Sequence, residues 1–260
     1  MNSVYMKIVG CMQVGGNCSW MLDSSLTNMS EIVDEIVLVG GSVSDESKKI
    51  IERCNKVVET NFYPDNQSRI EWNDMNSLLL MAKNHGADWI LFMDADETFE
   101  PRFKTTIRDC INNPDVGMYK FRRYWLWNTA EQYRVDRPEK FSSLAYNSYL
   151  VRSTPALHFP NPAGALWKRL IKHLQGKEKL KPYFGREPIT GIMGNILESD
   201  IVLLHHAALN WEQFVKNQMR YSILLAKRQP LNSEKDIIDP FYSIFDESTL
   251  KLKPINKDWL

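Results

Sequence analysis

Short, uninterrupted runs of apolar residues constrain most strongly what this chain can fold into. Residues 36–39 read Ile-Val-Leu-Val before a pair of glycines, and residues 89–93 read Trp-Ile-Leu-Phe-Met before a group of acids. Such runs are typical of parallel strands that are buried on both faces, whereas half-exposed strands alternate apolar and polar residues. Both runs are far shorter than the roughly 20 apolar residues of a membrane-spanning helix. They therefore predict a buried sheet and no membrane-spanning segment.

Helix signals alternate with these strand signals over the first hundred residues. We predict strands at residues 7–12, 36–39, 56–59 and 89–93, and helices at residues 20–29, 44–53, 73–85 and 211–228. The alternation predicts an α/β fold with a mostly parallel central sheet flanked by helices, and such sheets bind ligands at the carboxyl ends of their strands. Beyond residue 101 the alternation fails, and we interpret that part as strands and loops that complete the site.

Composition and charge exclude some classes of function. The 260 residues include 32 Lys plus Arg and 32 Asp plus Glu, so no net field draws the chain non-specifically onto nucleic acid or anionic membrane. The four cysteines lack the spacings of a zinc site, and we interpret them as free thiols of a soluble, cytoplasmic protein. Peripheral contact with a membrane and a homodimer both remain compatible with the sequence.

The sequence Asp94-Ala95-Asp96-Glu97 follows directly after the second apolar run. Alternate residues of an extended chain lie on the same side, so Asp94 and Asp96 can both reach one ion. A hard divalent cation with oxygen ligands would neutralise this concentration of negative charge. The alternative is a solvated loop, or acids placed favourably at the N-terminus of a following helix. The position at a strand end favours the metal site.

This region resembles the family 2-like glycosyltransferases of the GT-A fold. The resemblance rests on residues 33–39, 76–82 and 87–97 and covers residues 6–101 well. It implies that Asp94 and Asp96 hold Mn²⁺ or Mg²⁺ against the diphosphate of a nucleotide sugar. It also implies a catalytic domain at 1–210, with a nucleotide-sugar half at 1–101 and an acceptor half at 102–210, followed by a C-terminal helix and tail at 211–260.

Two departures from the family concern the nucleotide. Members commonly carry an Asn-Glu pair after the first strand, where residues 15–18 of this chain read Gly-Gly-Asn-Cys. The second strand of members usually ends in an aspartate that contacts the base, where Gly40 and Gly41 stand here, and only Asp45 remains from that acidic turn. UDP is therefore the default donor nucleotide, and the base itself is not fixed by the sequence.

The resemblance implies roles for further residues. His205 matches a histidine that often serves the family as an additional metal or diphosphate ligand, although a strand-end histidine can instead bond a backbone carbonyl. We predict that the donor is bound by Val14, Asp45, Asn76, Asp94 and Lys216. An inverting transfer needs a carboxylate base, for which Asp136 is the first candidate and Glu139 the second, whereas a retaining transfer needs none.

Two further groups of side chains are candidates for the site. The basic candidates for stabilising the diphosphate are Arg134, Lys168, Arg169, Lys216 and Arg220. The aromatic residues Tyr124, Trp125, Trp127 and Tyr133 offer stacking surfaces for a sugar or base, or else belong to the core.

The sequence as a whole predicts a metal-dependent glycosyltransferase that acts on a hydroxyl group. The acceptor is a glycan, a lipid carrier or a modified nucleic acid base. One alternative is a nucleotidyltransferase, which usually has a basic, glycine-rich phosphate loop, whereas residues 14–17 contain glycines but neither lysine nor arginine. The other alternative is a non-catalytic relative that binds a nucleotide or glycan.

Overall fold

The computed structural model describes residues 5–64, 71–136, 144–161, 188–228, 233–235, 238, 243–248 and 250–260. Its first part alternates strands and helices in the order β1 (Ile8–Gly15), α1 (Ser19–Ile32), β2 (Glu35–Gly41), α2 (Asp45–Arg53), β3 (Val57–Tyr63), α3 (Glu71–Asn84), β4 (Trp89–Phe92), β5 (Glu97–Phe99) and α4 (Arg102–Asn112). The later part consists of β6 (Val116–Trp127), β7 (Thr129–Arg134), β8 (Leu144–Arg152), β9 (Asn195–Ala208), α5 (Trp211–Arg228) and β10 (Leu252–Pro254).

The described strands form one sheet in the order β10-β7-β6-β8-β4-β1-β2-β3, and β9 pairs with both β5 and β6 beside this path. The four strands β3-β2-β1-β4 run parallel, as the apolar runs predict. Beyond β4, strands β8, β6, β7 and β10 pair antiparallel, and β9 runs parallel to β6. The predicted α/β fold is therefore confirmed, with its parallel part in the N-terminal half.

Strand β1 is buried on both faces, which explains its apolar sequence. Ile8 and Met12 belong to a core cluster that includes residues of α1 and α4, whereas Val9 and Cys11 belong to a second cluster with residues of α3. Because successive side chains of a strand point to opposite faces, helices cover the sheet on both sides. The carboxyl ends of the parallel strands form the edge at which the candidate site lies.

The C-terminal segments pack onto the second half of the sheet. Phe214 of α5 shares a core cluster with Trp127 of β6 and with Ile244, and β10 pairs with β7. The predicted helix at 211–228 is confirmed, whereas the predicted domain division at residue 210 stays a prediction. Among the described residues, no helix is both long enough and apolar enough to span a membrane.

Candidate functional site

The acidic loop lies beside the loop that follows β1. Strands β1 and β4 are parallel neighbours with Cys11 opposite Phe92, and the Met93 amide donates to the Cys11 carbonyl at 3.2 Å. Burial raises the pKa of the Cys18 thiol, and the negative charge of Asp96 adds to the increase. Residues 15–18 and residues 94–96 therefore face the same end of the sheet.

Helix α1 fixes the backbone of the acidic loop through two polar side chains. Ser25 Oγ donates to the Ala95 carbonyl at 2.9 Å. Asn28 donates from Nδ2 to the Phe99 carbonyl at 2.9 Å and accepts from the Phe99 amide at 2.8 Å. These bonds tie the residues on either side of Asp96 to one rigid helix, which is the kind of support that a precise binding site needs.

Glu97 supports the acidic loop from within the protein. Its side chain is fully buried, accepts a bond from the Asp94 amide at 3.0 Å and forms an ion pair with Arg123 at 3.3 Å. A buried carboxylate needs such partners because burial alone penalises its charge. Of the three acids in the motif, Glu97 therefore has a structural role, and Asp96 is the acid whose side chain lies beside His205.

His205 completes the arrangement from β9. Its Nε2 atom lies 3.7 Å from Asp96 Oδ1, and its Nδ1 atom is buried without a hydrogen-bond partner in the described structure. The ring stacks on Trp125 with centroids 4.2 Å apart and planes inclined by 22°. The neighbouring His206 instead bonds Thr98 Oγ1 at 2.8 Å. Only His205 of this pair therefore faces the acids.

The local electrostatics prepare this cluster for a cation. Burial and then the charge of Asp94 raise the pKa of Asp96 to about 7, although Arg123 opposes the increase. Burial, assisted by Arg123, lowers the pKa of His205 to about 4. At neutral pH His205 is thus neutral and has a lone pair for a metal, while Asp96 is about half ionised.

The chemistry of these side chains suits a divalent metal ion, but their arrangement alone does not form a complete site. Among the described residues, no group of three or more His, Cys, Asp or Glu side chains lies together so that it could hold a metal ion. Carboxylate and imidazole groups are ligands for Mn²⁺, and Mg²⁺ commonly takes one or two protein carboxylates together with substrate phosphates. Burial and Asp94 both disfavour the ionised form of Asp96, which a bound cation would favour.

The structure describes the surroundings of the other residues predicted to bind the donor, whose part in donor binding stays a prediction. Val14 is buried in β1, and Asp45 begins α2 with a side chain that is 90% exposed. Asn76 bonds both the amide and the carbonyl of Phe159, each at 2.9 Å, so its side chain holds a loop. Lys216 is 63% exposed and pairs with Glu212, one turn away on α5.

Gly40 stands where the family that the sequence resembles usually has a base-contacting aspartate. A Cβ atom at this position would lie 1.7 Å from the Val14 carbonyl oxygen of the neighbouring strand. No side chain fits there without displacing β1, because real Cβ atoms do not approach a backbone atom so closely. The departure from the family is therefore part of the packing of this sheet.

Asp136, the first candidate for a catalytic base, lies in a buried ion pair. It accepts bonds from Nε and Nη2 of Arg134 at 2.7 and 2.9 Å, and the two side chains are 2% and 0% exposed. Burial acts to raise the pKa of Asp136, but the bonds from Arg134 bring it below the usual value. This geometry favours a structural role over proton transfer. Glu139, Lys168 and Arg169 lie outside the described residues.

The aromatic candidates divide between core and site. Trp127 is fully buried, and Tyr124 packs against Tyr133 with ring centroids 4.7 Å apart. Trp125 is the member that meets the site, because it stacks on His205. Alternation along β6 separates Tyr124 from Trp125 and Trp127, and the last two pack in the same cluster.

Sequence reasoning missed Ser25, Asn28 and Arg123. The first two bond the backbone of the acidic loop about 70 positions further along the chain, and Arg123 of β6 pairs with Glu97 of β5 although β9 lies between these two strands. One signal was present, since Ser25 and Asn28 are polar residues three apart on the apolar face that α1 presents to the sheet.

No protein-family model matches the sequence, and no curated protein matches it significantly. Family 2 membership therefore stays a prediction. Solved structures with a similar fold are glycosyltransferases. S. aureus TarS 1-349 in complex with UDP aligns with 94% of this chain and 73% of that chain, at 16% identity and a TM-score of 0.47. The same protein with UDP-GlcNAc aligns with 94% and 74% of the two chains, at 15% identity and a TM-score of 0.44.

A third structure, GalNAc-T7 with UDP, GalNAc and Mn²⁺, aligns with 95% of this chain but only 59% of that one, at 8% identity and a TM-score of 0.45. At these identities the likeness concerns the fold alone. The ligands of those crystals belong to those proteins, and the site of this chain must be judged on its own residues.

Proposed function

We propose that this chain is a GT-A-type glycosyltransferase that transfers a sugar from a nucleoside diphosphate to an acceptor hydroxyl with the help of a divalent metal ion. The observation that carries the proposal is the pairing of Asp96 with His205, beside Asp94, at the carboxyl end of the parallel strands. Open α/β sheets bind their ligands at this edge. The strand order and the glycine-containing loop after β1 are compatible with a nucleotide bound across it.

In this proposal Asp94, Asp96 and His205 hold the metal ion, and the donor's phosphate oxygens supply further ligands. A bound Mn²⁺ or Mg²⁺ acts as a Lewis acid that stabilises the charge developing on the leaving diphosphate. Trp125 orients His205 by stacking on its ring, and Glu97 positions the acidic loop by accepting a hydrogen bond from the Asp94 amide. If the transfer is inverting, Glu139 is the remaining candidate base, because Asp136 is occupied by Arg134.

A thermal-shift panel tests the proposal. UDP, GDP, CDP and dTDP sugars are added separately to the protein, each with and without Mn²⁺, because a ligand that binds the native state raises its melting temperature. We expect a manganese-dependent increase with one nucleotide, and UDP is the first candidate. An absence of any increase across the panel would contradict the donor site. Donor hydrolysis in the presence of the stabilising nucleotide sugar then distinguishes a transferase from a non-catalytic binding protein.

The pKa values of the acidic cluster predict how manganese binding depends on pH. Asp96 has a pKa of about 7 in the folded protein without metal, so it is mostly protonated at pH 6 and mostly ionised at pH 8. A metal ion binds the ionised form and therefore displaces close to one proton at pH 6 and close to none at pH 8. His205, with a pKa of about 4, adds no proton over this range.

Calorimetric titration with Mn²⁺ in buffers of different ionisation enthalpy measures this proton release. The sign is fixed by linkage: the apparent affinity should rise about tenfold per pH unit below pH 7 and level off above it. Asp96→Asn removes the ionisable group, so its residual binding should show no such release. A proton count near zero at pH 6 for the wild-type protein would contradict the assignment of Asp96 as a ligand.

A further inference from the structure

Arg220 of α5 reaches across to the loop that follows β1. Its Nη1 atom lies 3.2 Å from the point that a Cβ atom would occupy on Gly16. Gly16 has a φ of +60°, a left-handed conformation that favours glycine, so the loop presents bare backbone to the guanidinium. The contact places a cation from the C-terminal helix beside the same sheet edge that carries Asp96.

The guanidinium of Arg220 has no anionic partner within the described part of the chain. Its Cζ atom lies 5.3 Å from the centroid of the Tyr221 ring. Its Nε atom is buried without a hydrogen-bond partner. Two other cations among the described residues have acidic partners, because Arg123 pairs with Glu97 and Lys216 pairs with Glu212. A buried donor without a partner is costly, and the structure therefore points to a ligand that supplies the acceptor.

The surroundings of Arg220 identify that ligand as an anion. Helix α1 begins at Ser19, directly after the loop, and Cys18 at its N-cap makes no side-chain cap. The Met21 and Leu22 amides donate to the Cys18 carbonyl at 3.1 and 3.0 Å, and the positive end of the helix dipole favours negative charge beside residues 18–20. Arginine binds phosphate oxygens through two parallel N–H groups, which a point charge such as lysine cannot reproduce.

We propose that Arg220 binds the diphosphate of the donor nucleotide, on the side of the glycine loop, while the acids and their metal ion hold it from the other side. This inference rests on the proposed function and adds a residue of α5 to the donor site. Of the two residues of α5 that the sequence proposes for stabilising the diphosphate, Lys216 and Arg220, it selects Arg220. The substrate class that Arg220 recognises is the nucleoside diphosphate, and neither the base nor the sugar contributes to this contact.

Isothermal titration calorimetry with UDP, UMP and uridine in the presence of Mn²⁺ tests this role. If the thermal-shift panel identifies another base, the corresponding diphosphate, monophosphate and nucleoside are used. For Arg220→Gln we expect the affinity for the diphosphate to fall about 10- to 100-fold, as for the loss of charge-assisted hydrogen bonds. Affinity for the nucleoside should stay within about twofold, because it has no phosphate. Arg220→Lys should lie between glutamine and the wild type.

Arg53→Gln is the matched control, since Arg53 is an arginine of α2 with a side chain that is 71% exposed. It should bind all three ligands as the wild type does. The inference is overturned if Arg220→Gln binds the diphosphate as tightly as the control, or if it loses nucleoside and diphosphate affinity equally. If the wild-type protein binds no nucleoside diphosphate, the proposed function itself fails, and the role of Arg220 fails with it.

Discussion

Asp96→Asn is expected to reduce sugar transfer at least about 1,000-fold and to abolish the manganese-dependent stabilisation by a nucleotide sugar. Removal of one preorganised group that stabilises developing charge typically costs about 100- to 1,000-fold in rate, and loss of a metal ligand adds to this. Asparagine keeps the size of the side chain but not the negative charge that a metal ion requires. Steady-state transfer rates and melting temperatures, each with and without Mn²⁺, measure the two effects.

The fold should survive this substitution. Burial and Asp94 raise the pKa of Asp96 in the folded protein to about 7, so ionisation of this group opposes folding as the pH rises from about 4 towards 7. The metal-free Asp96→Asn protein should therefore melt at or above the wild-type temperature at pH 8. Asp23→Asn, on an exposed position of α1, serves as the control with unchanged activity. Transfer at more than a tenth of the wild-type rate in Asp96→Asn would contradict the metal-donor site.

The parallel half of the fold could be predicted because its strands are buried on both faces. In such strands nearly every side chain is apolar, so the sequence shows both the strand and the residue at which it ends. The acids that follow β4 are conspicuous because they come directly after four apolar residues. The helix at 44–53 was equally readable, because Ser44 caps it by accepting from the Ser47 amide. Local rules decide these features, and no distant contact overrides them.

The supporting residues of the site could not be predicted because distant packing brings them together. Ser25 and Ala95 are 70 positions apart, and their bond exists only because α1 lies across the end of the sheet. The same limit applies within α5. Lys216 and Arg220 are one turn apart on the same stripe, and which turn reaches the glycine loop depends on how Phe214 packs against Trp127.

The role of Asp136 shows a different limit of sequence reasoning. An Arg-Val-Asp segment after the metal strand suggests a carboxylate available for chemistry. Alternation along an extended chain also puts Arg134 and Asp136 on the same side, where they form an ion pair. Only burial distinguishes the two interpretations, since an exposed pair would leave the carboxylate free to exchange partners with a substrate.

Asp136→Ala is expected to destabilise the protein by about 3–5 kcal/mol, because it breaks a buried ion pair and removes a carboxylate that accepts two bonds from Arg134. Arg134 also donates to the carbonyls of Ile244 and Asp246 at 2.7 and 2.8 Å and lies over the Trp127 ring at 4.4 Å. The pair thus connects β7 to the C-terminal segments. Urea unfolding measures the loss, and Asp23→Ala, which breaks an exposed pair with Arg53, should change stability by no more than about 0.5 kcal/mol.

A double variant separates a structural ion pair from a catalytic base. Replacement of both Arg134 and Asp136 by leucine removes both buried charges, so the double variant should be more stable than Asp136→Leu alone. At a temperature where the variants remain folded, the transfer rate per folded molecule should stay within about threefold of the wild type, whereas loss of a general base costs about 100-fold or more. A folded double variant that has lost transfer at all pH values would restore Asp136 as the base, because stability and activity would then have separated.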